Sequence, residues 1–61
     1  MREILKKEIL YIRDLGLTNM FDTDNVKDIA RWLNFKDLIK YINDNTREYI
    51  HFILTGDDTI E

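Results

Sequence analysis

The sequence predicts an all-α protein, a compact bundle of about four short helices that pairs with a second copy of itself. Three observations lead there. Apolar residues recur at three- and four-residue steps along nearly the whole chain. The only two glycines, Gly16 and Gly56, fall where that pattern breaks, together with several Asn, Asp and Thr residues, and no proline interrupts it. No Asn-Gly or Asp-Gly turn separates runs of alternating polarity, so strands have little support.

The first helix is expected from about Arg2 to Leu15, with Gly16 as the left-handed residue that ends it. At about 100° per residue, Ile4, Leu5, Ile9, Tyr11, Ile12 and Leu15 fill an arc of roughly 160°. Arg2, Glu3, Lys6, Lys7, Arg13 and Asp14 fill the other side, with Leu10 among them. Glu8 falls inside the apolar arc. Its carboxylate either reaches water or a lysine at the rim, or it marks the seam between two apolar stripes, paired there to a cation.

Leu17, Met20 and Phe21 make the following connection one that packs by its side chains. Asp22 or Thr23 is suited to cap a second helix, about Thr23 to Leu33, because a short side-chain oxygen accepts from the free amides of a first turn. Asp24 adds negative charge at the positive end of the helix dipole. This helix buries Val26, Ile29, Ala30 and Leu33, places Trp32 on a flank, and ends at Asn34, the best substitute for a left-handed glycine. A third helix, about Lys36 to Asp44, buries Leu38, Ile39 and Ile42, with Phe35 leading in. Asn45-Thr46-Arg47-Glu48 has capping-box spacing, so a fourth helix runs from near Thr46 to Gly56. Residues 1–56 thus form one helical domain, and Asp57-Asp58-Thr59-Ile60-Glu61 a short acidic tail.

A chain of 61 residues buries only about 60% of the surface its unfolded form exposes, so small domains usually need a staple. Cysteine is absent, which removes disulfides, thiolate metal sites and cysteine nucleophiles. Serine is absent as well, and His51 is the single histidine. Nothing here assembles a nucleophile with its base, so the chain reads as a non-enzyme without cofactor or metal. Asp22-Thr23-Asp24-Asn25 starts like a calcium loop, but Val26 and the lack of a loop glycine make helix capping the simpler account. Gly56-Asp57-Asp58 reads as a helix stop followed by a solvated tail. The net charge of −3 argues against attraction to nucleic acid or anionic lipid. No apolar run approaches the roughly 20 residues of a membrane span, and the mixed charge of Met1-Arg2-Glu3 does not open a secretory signal. A cytoplasmic location is expected.

Oligomerisation is the staple that remains. In the fourth helix Tyr49, Ile50, Phe52, Ile53 and Leu54 spread over about 200°, against the 100° or so of an ordinary core-facing stripe. Short neighbouring helices could hardly enclose so broad a face, and the first helix has a similar excess. An isologous homodimer follows, with Tyr49, Phe52 and Ile53 as the expected contacts and Tyr11 and Leu10 next. Trp32, Lys36 and Lys40 are the candidates for contact with another protein. Val26 to Phe35 also looks like the first helix and turn of a helix-turn-helix, which would make Lys36–Asp44 a recognition helix. Its outward side carries two lysines against two aspartates and no arginine for a bidentate guanine contact, so it is a poor groove reader.

Several strings carry a resemblance: Ile12-Arg13-Asp14-x-Gly16-x-Thr18-Asn19-Met20-Phe21-Asp22-Thr23, Val26-x-x-Ile29-Ala30, Tyr41-Ile42, and Tyr49-x-x-Phe52-Ile53-Leu54-Thr55-Gly56. They resemble a family of short proteins, a domain of unknown function, encoded by phages and mobile elements of low-GC Gram-positive bacteria. The likeness runs from the first helix to Gly56 and is most specific at Asn19-Met20-Phe21-Asp22. Where that family tends to have glycine before Phe35, this chain has Asn34. In size and character the chain is also similar to compact anti-defence proteins directed at the Hachiman system. The resemblance implies a non-enzymatic inhibitor that binds a host anti-phage defence protein. The alternative is a helix-turn-helix regulator of phage or mobile-element genes.

Overall fold

Helix boundaries follow the caps. The computed structural model describes residues 1–56, so the acidic tail lies outside the described residues. Four helices follow in order: α1 (Glu3–Leu15), α2 (Thr23–Trp32), α3 (Lys36–Asp44) and α4 (Thr46–Thr55), with no strand among the described residues. Gly16 and Gly56 end α1 and α4 in the left-handed region, at φ 66° and 73°. Asp22 caps α2, its carboxylate accepting from the Asn25 amide.

The end of α2 shows why Asn34 can stand where glycine is usual. Its φ is 65°, a conformation that asparagine tolerates better than other residues carrying a Cβ. The Asn34 amide donates to the Arg31 carbonyl at 3.1 Å and the Phe35 amide to the Ala30 carbonyl at 2.8 Å. These are the two bonds of a Schellman motif, and they turn the chain so that α3 starts after only three residues. The expected capping box at α4 is not formed. No side-chain bond caps the helix from Asn45. The Thr46 hydroxyl donates back to the Ile42 carbonyl at 2.7 Å, and the Glu48 carboxylate lies 3.5 Å from the Tyr41 hydroxyl. Joining α3 to α4 through a single residue leaves Asn45 at φ −136° and ψ 49°, with its side chain elsewhere.

Helix α3 touches all three of the others, and α2 and α3 pack as a tight pair. The core comprises Leu5, Ile9 and Ile12 from α1, Met20 from the connection, Val26 and Ala30 from α2, Leu38 and Ile42 from α3, and Tyr49 and Phe52 from α4. Ile29, Leu33, Phe35, Ile39, Ile50 and Ile53 pack around it, half-buried. The connection contributes less than its composition promises: Met20 turns inward while Leu17 and Phe21 remain exposed.

Helix α4 meets the bundle through α3 and needs a second attachment. Tyr49 supplies it. Its ring is fully enclosed and its hydroxyl donates to the Met20 carbonyl at 2.7 Å, tying α4 to a segment 29 residues earlier. Burial pushes the phenol up to about 12. Tyr49→Phe leaves the Met20 carbonyl short of its donor and should cost about 1–3 kcal/mol. At roughly 4–8 °C per kcal/mol for a domain this small, thermal unfolding followed by circular dichroism should show the loss. An unchanged midpoint would mean that this bond does not hold α4.

Candidate functional site

The described surface offers two recesses worth weighing and one exposed stripe. The first recess is a groove of about 520 Å³ between the start of α1 and α3, lined by Arg2, Leu5, Asp37, Lys40, Tyr41 and Asp44 among others. Its charges are matched in pairs. The Arg2 guanidinium lies 3.3 Å from the Asp37 carboxylate and the Lys40 ammonium 3.4 Å from that of Asp44. Exposed pairs of this kind contribute little to stability, but they leave the groove without a net field for a charged ligand. No group of three or more His, Asp or Glu side chains among the described residues could hold a metal ion. No helix of the described residues is long and apolar enough to cross a membrane.

The second recess, about 100 Å³, lies between α1 and α4. Ile9, Leu10, Arg13, Met20, Phe52, Ile53 and Gly56 line it. It brings together three of the residues expected at a dimer contact, Leu10, Phe52 and Ile53, although they are 43 positions apart at the extremes. Tyr49, expected there too, is instead a core residue closed off by its own chain, and Phe52 is largely buried while still lining the recess. The broad face of α4 is enclosed because two aromatic side chains reach further than the short aliphatic ones a wheel assumes; among its large apolar residues only Leu54 is left well exposed.

The excess apolar surface sits instead on α1. At about 100° per residue, Leu5, Ile9 and Ile12 centre on one direction, and Ile4, Tyr11 and Leu15 on another about 110° away. The first set is buried. The second is exposed by 51%, 46% and 37%. Glu8 lies between them, on the seam that one sequence reading placed it on, but no cation meets it. Its Oε1 is enclosed without a hydrogen-bond partner. The Tyr11 ring rests edge-on against Phe35, with centroids 6.0 Å apart. Trp32 projects from the last turn of α2 with 76% of its surface open, and Lys36 is exposed at the start of α3.

Desolvation raises the Glu8 carboxyl above its ordinary value of 4.5, the negative charge of Asp37 adds to this, and Arg2 offsets part. The folded chain therefore holds this proton more tightly than the unfolded chain. Stability then falls as pH rises through the interval between the two values. Glu8→Gln should raise the melting temperature of the dilute protein at pH 7, and the gain should shrink as pH falls toward 4.5 and be gone below it. A gain of equal size across that range would trace it to something other than the charge.

None of the curated proteins and none of the solved structures matches this chain. A family model described as a domain of unknown function, DUF5049, matches residues 1–57. That match takes in all four helices, the left-handed ends at Gly16, Asn34 and Gly56, and the enclosed Tyr49. With nearly its whole length inside the match, the chain belongs to the DUF5049 family.

Proposed function

We propose that this protein is a small, non-enzymatic protein-binding module that works as a homodimer in the cytoplasm, and that it is a phage-encoded inhibitor of a host anti-phage defence protein. The observation that carries the reading is the amount of large apolar surface a 7.4 kDa chain leaves in water. Ile4, Tyr11, Leu17, Phe21, Trp32 and Leu54 all stand exposed. Contiguous apolar surface marks interaction sites on soluble proteins, and Ile4, Tyr11 and Leu15 share one side of α1; large aromatic side chains dominate such contacts. Trp32, with the neighbouring Lys36 and Lys40, is the contact proposed for the host partner. The phage origin and the defence target rest on the family likeness carried by the Asn19-Met20-Phe21-Asp22 junction, and the Hachiman system is the target to test.

A second reading, a helix-turn-helix regulator of phage or mobile-element genes, is favoured by the three-residue connection through left-handed Asn34. Against it, α3 carries as much negative as positive charge, and Asp37 is already paired with Arg2, the residue before α1.

Expression of the chain in cells carrying a Hachiman system should restore phage plating. Trp32→Ala should reduce the restoration while leaving the unfolding free energy within about 0.5 kcal/mol of the parent, as for an exposed position. Unchanged protection by the defence system would count against the inhibitor reading. A duplex shifted in a retardation assay, with binding that weakens steeply as salt rises, would favour the regulator instead.

A further inference from the structure

We propose that the homodimer forms through α1, by antiparallel pairing of its exposed stripe with the same stripe of a second copy, so that the Tyr11 hydroxyl of each copy donates to the Glu8 carboxylate of the other. The inference rests on the homodimer reading and names the face and register.

Ile4, Glu8, Tyr11 and Leu15 follow one another at steps of four, three and four, the seam spacing of two helices packed side by side. All four lie within α1, and the three apolar ones are exposed. A two-fold axis between Glu8 and Tyr11 sets Ile4 against Leu15 of the second copy and Glu8 against Tyr11, each pair occurring twice. Sliding one helix by a heptad in either direction leaves only two of these layers within the helical span. A parallel alignment sets Glu8 against Glu8, two like charges on an apolar seam.

The antiparallel register also gives the Tyr11 hydroxyl an acceptor. That hydroxyl makes no hydrogen bond among the described residues. The enclosed Oε1 of Glu8 is closed to an incoming group, so the contact is made to the other carboxylate oxygen, Oε2. The flank of the seam agrees. Lys7 and Asp14 occupy equivalent flanking positions one heptad apart, so the two-fold axis brings Lys7 of one copy beside Asp14 of the other. Opposite charges there favour this pairing over its alternatives.

The chain contains no cysteine, which makes single-cysteine cross-linking clean. Ile4→Cys and Leu15→Cys, both at exposed positions, are treated with a short bis-maleimide, separately and as an equimolar mixture. Sedimentation of the unmodified chain from low to high micromolar concentration runs alongside. The expected result is a dimer by sedimentation, with cross-linked product in the mixture at least about fivefold above either variant alone. Product from Ile4→Cys alone overturns the antiparallel arrangement. A sedimenting dimer with no product in any arm overturns the α1 face and leaves the homodimer standing, with the α1–α4 recess as its site. A 7.4 kDa particle throughout overturns both. Tyr11→Phe, which removes no bond within one copy, should weaken association about tenfold or more, since two charge-assisted hydrogen bonds are lost together; an unchanged dissociation constant overturns the Glu8–Tyr11 contact.

Discussion

The hydrogen bond from Tyr49 to the Met20 carbonyl is the constraint on which the bundle closes. Helices α2 and α3 are held by a Schellman turn and by their shared core, and α1 lies across both. The last helix meets this unit through α3 and could pivot on that one line of contact. A fully enclosed phenol reaching the α1–α2 connection removes that freedom. It does so with a group whose burial would be costly unless it found an acceptor. The carbonyl it meets lies in a connection where no helical amide is at hand. One bond thus satisfies a buried hydroxyl and a loop backbone, and it sets where Phe52 can lie.

Local chemistry is what made the helices readable. The ends at Gly16, Asn34 and Gly56 each fall on a residue that accepts a positive φ, and the start of α2 falls on an aspartate that caps it. Such features act over a few residues and leave their mark on adjacent letters. The partner of Tyr49 is 29 positions away, and no local pattern points to it. For the same reason the wheel of α4 measured how broad its apolar face is and said nothing of how far each side chain reaches. Tyr49 and Phe52 fill the interior because they are long, where the wheel counted them as surplus. On α1 the opposite holds. The arc holds Tyr11 among aliphatic residues, and half of it, Ile4, Tyr11 and Leu15, stays uncovered.

Glu8 illustrates what a sequence can and cannot say about a site. Its place between two apolar directions on α1 follows from numbering alone, and the structure keeps it there. That it lacks a counter-charge depends on neighbours: Arg2 pairs with Asp37, Lys6 with Glu3 and Arg13 with Asp14. A carboxylate left in that position is a cost to a single copy and a selective element for whatever covers the stripe. The burial that disfavours its charge also gives direction to any donor that arrives.

The one-residue joint between α3 and α4 and the three-residue turn before α3 also bear on how fast the protein folds. Nearly every helix packs on its immediate successor, and the chain between them is short. Little loop entropy is spent before contacts form, and helical domains of such local topology fold in microseconds to milliseconds. With no proline isomer to await and no disulfide to oxidise, the four helices can come together almost as soon as α4 has left the ribosome.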